Sequence, residues 1–287
     1  MRALTRRLWS ALLLAATLGT GLAPAARAED GVNVDKPSAF RNLVPREALE
    51  QSAAEQYQQL KRNAAAKHVL VADGDAQVQR LRIIADRIVP HVDRFNAHAR
   101  DWKWEVNLIN SRQINAFCMP GGKIAFYTGL LQTLRLSDDE VAMVMGHEVA
   151  HALREHARER IGKTQATRFG AELLGQIIGR GRYADAFHIG GNLLSLKFSR
   201  DDETEADVVG LDLAARAGFD PRAGITLWQK MLAAQKNAPP AWLSTHPSGS
   251  NRIDEIRRHL PEVMPLYERA RSQRAAPQGS SQMPRDR

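Results

Sequence analysis

Gly146-His147-Glu148-Val149-Ala150-His151 is the stretch from which the rest of the 287-residue chain is read. On a helix, residues four apart lie on one face. His147 and His151 then aim two imidazoles at one point, as a zinc ion requires of its first two protein ligands. Glu148 leans over the coordination position left open and is the candidate general base toward water. The reading holds only if the stretch is helical. Upstream, Ser137-Asp138-Asp139-Glu140 supplies the Ser-x-x-Glu of a capping box, and its acids suit the positive end of a helix. A helix is expected from there through Val141, Val144, His147 and His151 to about residue 160.

Catalytic zinc takes three protein ligands and keeps one position for water. The candidate third ligand is Glu203, on a helix expected from about residue 201 to Gly218. Asp207, one turn further along the same face, is placed to accept the free ring N–H of a ligating imidazole. Glu203 and Glu205 would equally suit a solvated acidic helix start. His246 is the candidate donor to a tetrahedral oxyanion, with Arg252 as the alternative. His246 could instead bind the zinc and block the water position. One Zn2+ per chain is expected.

Working outward, residues 46–67 are rich in Ala, Gln, Glu and Lys, a helical composition. Val78, Leu81, Ile84, Ile88 and Val92 recur at helical spacing, with Pro90 set to kink or end that helix. Residues 102–109 alternate and read as a strand, as do 114–118 and 123–128, the last two joined by the turn at Met119-Pro120-Gly121-Gly122. Residues 129–136 read as a short helix. Residues 164–197 are apolar but broken by glycines, and a hairpin over the site, gating it around 179–191, is expected. Further helices are expected at 221–236 and 251–259. The fold class is α+β: mainly helical, with a small sheet of three or four strands.

The formal charge of +8 is concentrated in the first 28 residues and beyond Arg271. The body between is nearly neutral, so nothing argues for nucleic-acid binding. Residues 1–28 read as a secretory signal: Arg2, Arg6 and Arg7, an apolar run from Leu8 to Leu22, and Ala26-Arg27-Ala28 before the cut. An uncleaved membrane anchor is the alternative. No Cys stands at the end of the apolar run, so a lipoprotein anchor is not expected. Cys118 is the sole cysteine, so the fold needs no disulfide, and it reads as a small core residue. The expected organisation is a signal peptide at 1–28, an extended segment at 29–48, a zinc metallopeptidase domain at 49–270 and a disordered basic tail at 271–287.

Several separated motifs occur together. They are Asn115-Ala116-Phe117 with Pro120-Gly121-Gly122, the His147-Glu148-x-x-His151 helix, Ser199-Arg200 before Glu203 and Asp207, and Thr245-His246-Pro247 with Arg252-Ile253. Over about residues 52–260 the chain resembles the HtpX and CAAX-prenyl-protease family of zinc metallopeptidases, and within it the soluble periplasmic, BepA-like branch. The resemblance implies zinc ligands at His147, His151 and Glu203, a base at Glu148 and a regulatory or transition-state role for His246. It also implies that Asn115 and Ala116 lie on an edge strand where a substrate backbone adds as a strand. Arg252 completes the candidate substrate-binding set. The extra transmembrane helices of some relatives and the helical-repeat extension of others do not occur in this sequence. The expected function is a periplasmic zinc endopeptidase acting on unfolded or misassembled envelope proteins, with outer-membrane assembly machinery as a further partner. A zinc-bearing chaperone that holds clients without cutting them is the competing reading.

Overall fold

In the computed structural model, which describes residues 30–177, 192–235, 240–247 and 251–275, three strands form one sheet. β1 (Glu105–Ile109), β2 (Ala116–Met119) and β3 (Lys123–Tyr127) take the order β1-β3-β2. β1 runs parallel to β3, with Leu108 opposite Phe126, and β2 runs antiparallel, with Cys118 opposite Ile124. The turn between β2 and β3 holds Gly121 at φ 81° and Gly122 at φ 76°, a conformation that side chains with a Cβ resist. β2 is an edge strand.

Successive strand residues point to opposite faces, and β3 uses this to join two cores. Ile124 and Phe126 pack with α2 (Ala76–Ile88) and α4 (Asp138–Leu153). Ala125 and Tyr127 pack with α1 (Arg46–Ala66), whose Tyr57 hydroxyl donates to the Ile124 carbonyl at 2.5 Å. A short helix, α3 (Thr128–Thr133), follows β3. After α4 come α5 (His156–Ile177), α6 (Arg200–Arg216), α7 (Ala223–Gln235), α8 (Trp242–Thr245) and α9 (Arg252–Ala275). The mainly helical fold with a small three-stranded sheet is the one the sequence patterning predicts.

α4 is the central element, buried at every position from Glu140 to Leu153. Both bonds of its capping box are present: Ser137 Oγ accepts from the Glu140 N–H at 3.2 Å, and Glu140 Oε2 accepts from the Ser137 N–H at 2.8 Å. α6 crosses it at two glycines. A Cβ on Gly146 would lie 2.8 Å from the Gly210 carbonyl oxygen, and one on Gly210 would lie 2.8 Å from the His147 nitrogen. The two backbones touch there, which brings the donor residues of both helices within reach of each other.

The structure differs from the sequence reading in four places. α4 ends at Leu153 rather than near residue 160, because Glu155 turns to φ 58° and α5 starts afresh at His156. Three guanidinium groups hold that turn: Arg41, Arg46 and Arg158 donate to Glu155 at 2.8, 2.9 and 2.9 Å. Residues 164–177 continue α5 instead of opening a hairpin, while 178–191, with the expected gate, lie outside the described residues. The segment expected to lie extended over 29–48 contains a 3-10 turn at Ala39–Leu43 and buries Val32 and Val44. Its backbone is bound by side chains: Asp212 Oδ2 accepts from the Val32 N–H at 3.0 Å, and Arg158 Nε donates to the Val44 carbonyl at 2.6 Å. Finally, α9 runs on through Pro261 and Pro265 to Ala275, past both the expected helix end and Arg271. Packing of Ile256, Val263 and Leu266 against the core outweighs the lost backbone donors. Residues 1–28 and 276–287 lie outside the described residues. No described helix is long and apolar enough to cross a membrane.

Candidate metal centre and active site

α4 presents His147 and His151, α6 presents Glu203, and the turn after α8 presents His246. One donor atom from each lies within 4.8 Å of every other, and all four side chains are buried. His147 Nε2 is 3.1 Å from His151 Nε2, 3.3 Å from His246 Nδ1 and 3.5 Å from Glu203 Oε2. Glu203 Oε1 is 3.4 Å from His151 Nε2 and 3.0 Å from His246 Nδ1.

These separations test the fit of a metal ion. Zinc bonds of about 2.0–2.2 Å to nitrogen and oxygen give a tetrahedron with edges of about 3.3–3.6 Å. The five separations given lie at 3.0–3.5 Å, in or just below that range, the four-donor set as a whole lies within 4.8 Å, and three imidazoles with one carboxylate form a zinc-type donor set. The four donors could together hold a metal ion. His246 stands where the sequence reading left room for water, the alternative in which it closes the coordination.

The surrounding contacts fix each donor. Asp207 Oδ1 lies 3.0 Å from His147 Nδ1. A carboxylate can only accept, so Nδ1 carries the hydrogen and Nε2 keeps its lone pair for the cluster. Arg252 binds both acids of α6, donating to Asp207 from Nε and Nη2 and to Glu203 from Nη1, each at 2.5 Å. It also lies 4.0 Å over the ring of Trp228. Arg252, a substrate-binding candidate in the sequence, does not line the cleft that Asn115 and Ala116 line; its guanidinium is drawn to two buried carboxylates and also lies 3.3 Å from His147 Nδ1. Burial alone would raise the Glu203 carboxyl, yet His151 and His246 hold it far below the usual carboxylate range. Asp207 follows the same balance, with Arg252 and His147 outweighing burial. Burial presses His151 toward the neutral imidazole, which is the ligating form.

Glu148 is buried at the edge of the cluster. The Trp242 indole Nε1 donates to its Oε1 at 2.5 Å, and His246 Nε2 lies 3.6 Å from the same oxygen. Burial opposes charge on His246, but Glu148 and Glu203 together hold its imidazole above the usual range. Trp242 also stacks on His246, with ring centroids 4.8 Å apart. The α8 turn is held from both sides: the Trp242 N–H donates to the Ile114 carbonyl at 3.0 Å, and the Phe198 N–H to that of Thr245 at 3.1 Å.

A cleft opens beside Glu148, His151 and His246, with Asn115 and Ala116 on its wall. Its remaining walls are mostly apolar, among them Phe117, Leu193, Leu196 and Phe198. Cys118 lines it as well, and burial, then the charge of Glu148, pushes its thiol well up, away from the thiolate a nucleophile needs. Sequence reasoning missed Trp242, Phe198 and His156. Phe198 stacks on His151 at 4.0 Å, and His156 Nδ1 lies 2.9 Å from His151 Nδ1. For His156, a histidine five residues beyond the second ligand was the available signal.

Residues 75–260 match the sequence profile of peptidase family M48. The mitochondrial metalloendopeptidase OMA1 of Schizosaccharomyces pombe is 40% identical over 165 residues, which are 57% of this chain and 48% of that protein. Two Escherichia coli proteins are also similar. Metalloprotease LoiP is 29% identical over 51% of this chain and 59% of its own length. The beta-barrel assembly-enhancing protease is 32% identical over 60% of this chain and 38% of its own length. The chain spans about half the length, or less, of the first curated relatives it matches. The profile takes in all four donors together with Glu148, Asp207, Trp242 and Arg252, so likeness and geometry concern the same residues, and the chain belongs to peptidase family M48.

Proposed function

We propose that the chain is a zinc endopeptidase of the bacterial cell envelope, on the BepA-like branch, that hydrolyses unfolded or misassembled proteins. The observation that carries the reading is Glu148. A metal held only for stability has no use for a buried carboxylate beside the donors, aimed by an indole N–H at 2.5 Å. Zinc held by the donors would supply Lewis-acid chemistry, acidifying water and polarising the scissile carbonyl. The chain's own residues do the rest. Glu148 takes a proton from the attacking water and returns it to the leaving amine. Trp242 keeps the carboxylate aimed. The open edge of β2, from Asn115 and Ala116 onward, offers backbone groups to an extended polypeptide. His246 withdraws from the donor cluster to admit water and is then placed to donate to the oxyanion.

The periplasmic assignment draws support from the leader-like composition of residues 1–28 and from the E. coli relatives, one of them named for enhancing β-barrel assembly. The same name supports outer-membrane assembly machinery as a partner. Glu148→Gln should abolish casein digestion while zinc content, measured by metal analysis, stays at one per chain. Casein digestion by that variant would sink the mechanism. The four-donor closure favours one second reading, a chaperone whose zinc stays sealed. On that reading, wild type and the Glu148 variant suppress client aggregation equally and neither cuts.

A further inference from the structure

His151 has two ring nitrogens, and only Nε2 faces the donor cluster. Its Nδ1 meets Nδ1 of His156 at 2.9 Å, and His156 Nε2 lies 2.8 Å from Glu205 Oε2. Arg154 Nε donates to Glu205 Oε1 at 2.9 Å, and Arg154 Nη2 also donates to the Asp35 carbonyl. Arg154 and His156 are buried, and Phe198 covers one face of the His151 ring.

The hydrogens can be counted along this row. Glu205 accepts, so Nε2 of His156 carries a hydrogen. With the His156 ring neutral it has one hydrogen, so its Nδ1 accepts. The hydrogen between the two rings therefore belongs to Nδ1 of His151, and Nε2 of His151 is left with its lone pair toward the cluster. We propose that His156 and Glu205 are positioning residues of the metal centre, a two-step relay that sets the tautomer and ring orientation of His151 as Asp207 does directly for His147.

The break after α4 is what makes the relay possible. On an unbroken helix, residue 156 would sit about 140° around the axis from residue 151. The turn at Glu155 sends His156 back beside His151, while Glu205 arrives on α6 two residues after Glu203. The inference rests on the metal reading of the four donors and not on peptide hydrolysis.

The test is zinc affinity, measured by competition with a chelating dye on the full chain. His156→Phe keeps the ring volume and removes both nitrogens, and should weaken zinc binding by about 10- to 100-fold. Glu205→Ala should act in the same direction. The double variant should bind no more weakly than His156→Phe alone, because the links act in series. Affinities within twofold of wild type, or losses that add independently, would overturn the relay. Nitrogen-15 spectra of zinc-loaded wild type give a readout that needs no variant, should His156→Phe fail to fold. They should show His156 with a hydrogen on Nε2 and none on Nδ1; a hydrogen on Nδ1 overturns the proposal. Failure of the wild type to bind zinc would overturn relay and metal reading together. Loss of affinity in the variants supports the relay whether or not the wild type digests casein, so the relay and the peptidase reading fail separately.

Discussion

The Trp242 indole is the group that converts Glu148 from a buried acid into an aimed one, since its N–H reaches Oε1 at 2.5 Å and both side chains are buried. A hydrogen bond to a charged group contributes about 1.5–3 kcal/mol, or roughly tenfold or more in rate where it orients the base. Trp242→Phe keeps the stack on His246 and removes the donor. It should lower kcat/KM on a peptide substrate about tenfold with zinc content unchanged; equal kcat/KM would remove Trp242 from the machinery. At this scale the sequence speaks clearly only where the relation is local. His147, Glu148 and His151 declare themselves by spacing on one helix, and Glu203 with Asp207 does so one turn apart on another. Arg252 carries no local sign of its role, because the acids it holds lie on α6 and reach it only through packing. Trp242 and His156 are likewise legible only once distant stretches meet.

α4 and α6 set how close the donors come, and their approach depends on having no side chain at the crossing. A Cβ on Gly146 would meet the Gly210 carbonyl oxygen at 2.8 Å, backbone against backbone, with no flexible neighbour to yield. Gly146→Ala should therefore push the helices apart, at a cost of about 1–3 kcal/mol as for other overpacked cores. Since His147 rides on one helix and Glu203 on the other, zinc affinity should fall along with the melting temperature. Gly74→Ala, where an added Cβ meets nothing within 4 Å, is the control. A Gly146→Ala protein that melts and binds zinc as wild type does would show that the crossing is not tight. Element existence was readable from periodicity and caps, as with the capping box of α4. Element ends were less so. The break at Glu155 is set by three arginines from outside α4, and α9 survives two prolines through burial of its apolar face. Neither cause is visible in the local sequence.

Across the whole molecule, Glu155 ties the N-terminal segment to the helix pair that bears the site. Arg41 precedes α1, Arg46 opens it, and Arg158 lies on α5, yet all three converge on this one carboxylate. Burial would raise the Glu155 carboxyl, but Arg46, Arg158 and Arg41 outweigh it and hold it below the usual value. A carboxyl with a depressed pKa in the fold adds stability that is fully present above the unfolded value of about 4.3 and is lost as the pH falls through the folded value. Other acids, the buried Asp207 and the half-buried Glu205 among them, follow the same rule, so acid destabilises the wild type as a whole. The share that belongs to Glu155 is isolated by comparison with Glu155→Gln, which keeps the shape and cannot ionise. With chelator present throughout, so that metal release plays no part, the variant should melt below wild type at pH 7. The gap should then narrow as the pH is lowered from about 5 toward 3, because only the wild type loses an ionised Glu155. A gap that stays constant across that range would mean the three arginines bind a carboxylate whose charge does not contribute, and that the turn at residue 155 is held by shape alone.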